Sequence, residues 1–84
     1  MFYKVKRIKA LPNYILQATF INGVTKLYDV KPLFDIWQTF KALIYTKGLF
    51  ELVKVDTGGY GISWNDDIDL SCNELWENGF TKTS

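Results

Sequence analysis

Apolar and polar residues along the chain follow two different spacings. In YILQATFINGVTKLYDV, residues 14–30, they alternate on either side of Asn22-Gly23. That is the period of a half-buried strand. Asn-Gly favours a two-residue type I′ hairpin, because both residues accept positive φ. The turn predicts a register in which Phe20 faces Thr25, Ala18 faces Leu27 and Leu16 faces Asp29. One face then carries Leu16, Ala18, Phe20 and Leu27 toward a core. Gln17, Thr19, Lys26 and Tyr28 form the wetter face. The preceding FYKVKRIKAL reads as a further strand, ended by Pro12-Asn13.

The spacing then changes. In KPLFDIWQTFKALIYTKG, Leu33, Ile36, Trp37, Phe40, Leu43 and Ile44 recur at intervals of three and four, one stripe of an amphipathic helix. Pro32 suits its first turn and Gly48 its end. Phe34 falls off the stripe and has no assigned place. FELVKVDTGGYGISW predicts a second hairpin around the loop Asp56–Gly59, with Val55 facing Tyr60, Val53 facing Ile62, and Trp64 extending the inner face. A short helix follows over about residues 72–78, closing at Gly79. The predicted order is β-β-β-α-β-β-α, an α+β fold with a largely antiparallel sheet and helix packed on one face. The 84 residues make one domain, 1–84, with 81–84 a loose tail.

Composition changes this picture in two ways. A domain this small hides only roughly 60% of the surface of its unfolded chain, yet it carries three Trp, five Tyr and six Phe. Such a surplus of rings fills a core or covers an interface. There is also no histidine and one cysteine, Cys72. The commonest general base and metal ligand is therefore missing, and neither an internal disulfide nor a cysteine zinc site is available. MFYKVKRIKAL reaches Lys4 before an apolar run builds, so no secretory signal is expected. No stretch approaches the ~18 apolar residues of a membrane span. A reduced, cytoplasmic protein is the expectation.

The acidic stretch SWNDDIDLSCNELWENG, residues 63–79, is the densest candidate for chemistry. Counted as a calcium loop from Asn65, it puts Asp67 and Asp69 in place. The glycine position, however, is Leu70 and the bidentate glutamate position is Trp76, so the calcium pattern fails. Asp66 and Asp67 have no phosphate loop with which to share a magnesium ion, and adjacent acids on a turn do not make a paired-carboxylate hydrolase. Cys72 lacks a histidine partner for nucleophilic catalysis. A junction explains more residues: Asn65-Asp66-Asp67 as a turn, then Ser71-Cys72-Asn73-Glu74 as a capping box that starts the last helix. No catalytic residue, metal ligand or cofactor is assigned, and no small-molecule substrate is evident.

Charge is unevenly divided. Residues 1–47 carry a balance of +6 and residues 48–84 a balance of −5, which points to a basic face or to two complementary faces. The basic strand supplies the candidate contact residues Lys4, Lys6, Arg7 and Lys9. Beside Phe2 and Tyr3 these can meet phosphates and bases, or they can keep an edge strand soluble and unpaired.

The segments ATFINGVTKLYDVKPLF, FKAL, FELVKVDTGGYGISW and DIDLSCNELW, in this order and spacing, resemble the bacterial domain-of-unknown-function family DUF2442 along nearly the whole chain. The resemblance implies an α+β domain and little chemistry, with an antitoxin-like or accessory binding role beside small toxins. Trp64, Asp69 and Leu75, which match its pattern, fit structural roles. The expected function is a non-enzymatic protein-interaction module, regulatory or antitoxin-like, with a protein partner or self-association. The alternative is nucleic-acid binding through the basic strand.

Overall fold

A computed structural model describes residues 3–81. Phe2 and the tail residues 82–84 lie outside them. Two antiparallel sheets share one core. The first has the order β1-β2-β3-β7, built from Val5–Leu11, Ile15–Phe20, Thr25–Asp29 and Phe80–Thr81. The second has the order β4-β5-β6, from Lys54–Val55, Gly61–Asn65 and Ile68–Ser71. One-turn helix α1 spans Ala42–Tyr45 and helix α2 spans Cys72–Asn78. The α+β class and antiparallel pairing are those expected. The second sheet, β6 and β7 are additions to the predicted order. β6 was hidden because Ile68-Asp69-Leu70 is too short to show a period. β7 includes Thr81, which pairs with Lys26 rather than hanging loose.

The first hairpin forms where predicted, one residue out of register. Leu16 faces Tyr28, Ala18 faces Lys26 and Thr19 faces Thr25. Its loop is Ile21-Asn22-Gly23. The Gly23 amide donates to the Phe20 carbonyl at 2.9 Å, and Gly23 takes the left-handed φ of 92°. This is the three-residue form, in which the glycine follows an ordinary turn, rather than the two-residue form. Because side chains alternate, a slip of one exchanges the faces of β3. Tyr28 is therefore buried and Leu27 is turned outward, the reverse of the expectation. The slip puts a tyrosine ring opposite fully buried Leu16 and lets its hydroxyl reach α2.

The 31–48 segment departs further. In place of one helix it makes single 3-10 turns at Lys31–Asp35 and Gln38–Lys41, then α1. Trp37 between them is extended, at φ −121° and ψ 118°. That break lets Phe34, off the helical stripe, go inward together with Leu33, Phe40 and Leu43. Ile36, Trp37 and Ile44, which belong to the stripe, are exposed. Phe34 meets the edge of Tyr14 at 5.3 Å. Packing of the two rings outweighs the local period, because a helix this short is marginal without tertiary support.

In the second hairpin Val55 faces Ile62 and Lys54 faces Ser63, two residues away from the predicted pairing. A slip of two preserves the faces, so Ile62 and Trp64 remain buried. The Trp64 indole N–H donates to the Phe50 carbonyl at 2.9 Å, satisfying a buried donor. α2 starts at Ser71, whose Oγ accepts the Glu74 amide at 3.0 Å. Glu74 does not reach back to complete the box. Its Oε2 accepts from the Tyr28 hydroxyl at 2.7 Å and from Asn78 Nδ2 at 2.9 Å.

Candidate functional site

β1 carries a bulge that decides where its charges go. Val5 faces Phe20, but Arg7 faces Thr19, so Lys6 is the extra residue. Val5, Ile8 and Ala10 consequently share the core face, while Arg7 and Lys9 share the outer face with Thr19 and Gln17. The sequence signal was the three-residue gap between Val5 and Ile8, which breaks strict alternation.

Beyond β1, the strand β4 runs past without pairing to it, each being the end strand of its own sheet. Between them lies a groove of about 520 Å³, lined by Lys6, Arg7 and Lys9, by Lys54 from the other sheet, and by Gln17, Thr19, Ile8, Val53 and Val55. Among the described residues that lining includes no carboxylate and no aromatic ring. Three of the four predicted contact residues are thus brought together, and Lys54 joins them. Sequence reading had no way to find Lys54, because the neighbouring sheet supplies it. Lys4 is elsewhere: its Nζ lies 4.8 Å from the centre of the Tyr60 ring, a cation–π contact. Gly59 packs the β4–β5 turn on β1, since a Cβ there would stand 2.7 Å from the Val5 carbonyl oxygen.

A second stretch of chain carries exposed apolar side chains. Ile36, Trp37, Ile44, Tyr45 and Leu52 are all exposed and belong to one stretch of chain, with Tyr45 79% accessible. Ile44 and Tyr45 also line a depression of about 690 Å³ shared with Tyr14, Leu43 and Phe50. Its border includes Asn13 and Tyr14, consecutive residues in the left-handed region at φ 65° and 59°. Such a conformation costs a bulky residue roughly 1–2 kcal/mol. Three contacts hold it. The Tyr14 ring packs edge-on against Phe34 and Phe50, and its carbonyl accepts the Val30 amide at 3.0 Å.

Within the acidic stretch, Asn65, Ser71 and Glu74 make structural contacts. Asn65 Oδ1 accepts the amides of Asp67 and Ile68 at 2.9 and 3.0 Å, which makes the turn between β5 and β6. Among the described residues no group of three acids or cysteine is disposed to hold a metal ion. Cys72 is 1% exposed, inside the core. The most strongly perturbed group is Tyr28. Burial, then its hydrogen bond to Glu74, then the charges of Glu74 and Asp29 hold its phenol well above the ordinary value of 10.0. It is a proton-retaining clasp between β3 and α2. Lys26 makes a parallel clasp: its Nζ donates to the Trp76 carbonyl at 2.6 Å and sits 4.0 Å over the Trp76 ring. Among the described residues no helix is long and apolar enough to cross a membrane.

No curated protein and no solved structure matches the chain. A family model does: the family described as a protein of unknown function, DUF2442, over residues 5–81. That span contains both sheets, the basic groove and the apolar surface, and with nearly the whole chain matched the protein belongs to the DUF2442 family.

Proposed function

We propose that this domain is a protein-interaction module, and that its main contact surface is the exposed apolar stretch around Ile44 and Tyr45. The observation that carries this reading is the set of exposed apolar side chains Ile36, Trp37, Ile44, Tyr45 and Leu52 within residues 36–52, two of which, Ile44 and Tyr45, line a concave depression. Solvent-facing rings and aliphatics of this kind are stabilised when a partner covers them. A regulatory or antitoxin-like component working in the cytoplasm uses such a surface, and the proposal includes that role.

The reading is tested by capture of partners from nuclease-treated lysate of the native host, using the wild-type chain and the Ile44→Asp/Tyr45→Asp variant side by side. The expected result is one stoichiometric protein held by the wild type and lost from the folded variant. Equal capture by both, or no protein surviving nuclease, overturns it. The second reading, nucleic-acid binding, is favoured by the joining of Lys6, Arg7 and Lys9 with Lys54 in one groove. It ranks below the first because the described residues lining the groove include no aromatic platform for bases.

A further inference from the structure

The groove between β1 and β4 has a composition of its own. Its cations come from two sheets, and the end strands of both sheets form its walls. An end strand has backbone N–H and C=O groups along its open side, and an extended peptide is the ligand that matches such a wall. Arg7 and Lys9 are two residues apart on one face of β1, so their positions repeat every ~7 Å. Alternate side chains of an extended peptide repeat at the same interval. The lining also includes Ile8, Val53 and Val55, packed against the core, as aliphatic surface for the intervening side chains. Among the described residues the lining has neither a carboxylate to repel an acid nor a ring on which to stack a base.

We propose that this groove receives a short, extended, acidic segment of a partner protein, with carboxylates at alternate positions reaching Arg7, Lys9 and Lys54 and small apolar residues between them. The length available along β1, from Lys6 to Lys9, fits roughly four or five residues of such a segment. This deepens the interaction-module reading by giving the chemistry of a partner. It uses a surface separate from Ile44 and Tyr45, so the two can fail independently.

The test is a fluorescence-anisotropy titration of the whole chain with three labelled probes. One is a soluble peptide with alternating glutamate and valine at its centre, one is the same peptide with lysine for glutamate, and one is an oligothymidine strand. The acidic peptide is expected to bind, and the basic one not to. Affinity for the acidic peptide should fall roughly tenfold or more when salt is raised from low to high, because exposed charge pairs are screened. Arg7→Glu/Lys54→Glu abolishes binding, while Ile44→Asp/Tyr45→Asp leaves it unchanged. Amide chemical shifts of the unaltered protein, followed during the same titration, should move at residues 6–9 and 53–55. Shifts confined to other residues overturn the proposal, and so does undiminished binding by the charge-reversed variant. Failure of the acidic peptide to bind, or tighter binding of oligothymidine in the same groove, overturns it as well. Loss of binding in the apolar variant alone would move the peptide to the other surface and equally overturn the groove assignment.

Discussion

The β2–β3 hairpin and the 31–48 segment both display regular apolar spacing, yet they treat it differently. In β2 the buried positions Leu16, Ala18 and Phe20 alternate as the strand period requires. In the 31–48 segment the residues at helical spacing divide, with Leu33, Phe40 and Leu43 inside and Ile36, Trp37 and Ile44 outside. The difference lies in what backs each element. A strand in a sheet has neighbours on both sides that hold its pleat. A short helix has only its own hydrogen bonds and whatever it packs on. Phe34, off the stripe, has more to gain from packing against Tyr14 in the core than an unbroken helix has to lose, so the backbone extends at Trp37.

The widest expected effects come from exchanging buried rings in the two regions. Phe20→Ala and Phe34→Ala should each lower stability by about 3–5 kcal/mol, since each removes a buried ring and leaves a cavity. Phe34, slightly more exposed, belongs near the lower end. Urea denaturation checks both. If Phe34→Ala were silent while Ile36→Ala was costly, the continuous-helix pattern would be the correct description and the contrast would collapse.

A smaller effect is expected at the clasp between β3 and α2. Tyr28→Phe should cost about 1–2 kcal/mol, the value of one partly buried hydrogen bond to a carboxylate. It should also change the pH dependence. The folded chain keeps the Tyr28 proton where the unfolded chain releases it, so its contribution is whole below the ordinary value of 10.0 and diminishes as pH rises above that. Stability measured from pH 9 to 11 should therefore fall less steeply in Tyr28→Phe than in the wild type. Equal slopes would remove Tyr28 from the alkaline response.

The smallest change belongs to Ile36→Ser. At 64% exposure the side chain has little to lose, and the stability should change by no more than about 0.5 kcal/mol. A loss of several times that amount would show that Ile36 is packed with Leu33, Phe40 and Leu43 inside.

Much of the architecture was legible because it rests on local chemistry. Asn22-Gly23 marked a hairpin, Ser71 and Gly79 bracketed α2, and Asn65-Asp66-Asp67 marked a turn. The register of that first hairpin was not legible. Two-residue and three-residue loops both accept Asn-Gly, and burial of Tyr28 against Leu16, with its hydroxyl on Glu74, selects between them. At the groove, Lys6, Arg7 and Lys9 were visible as a basic run, but alternation alone would have left Lys6 and Arg7 on opposite faces. The bulge and the approach of β4 made them one surface with Lys54.

By itself, then, the amino-acid order determined the fold class, the turn positions, the last helix and the lack of histidine chemistry. These depend on backbone preferences and side-chain types that act within a few residues. Tertiary structure alone decided the faces of β3, the breaking of the predicted helix, the separation of Lys4 from the other cations and the arrival of Lys54 beside them. Each of those outcomes depends on contacts between residues far apart in the chain, whose packing energies exceed the local preferences they override.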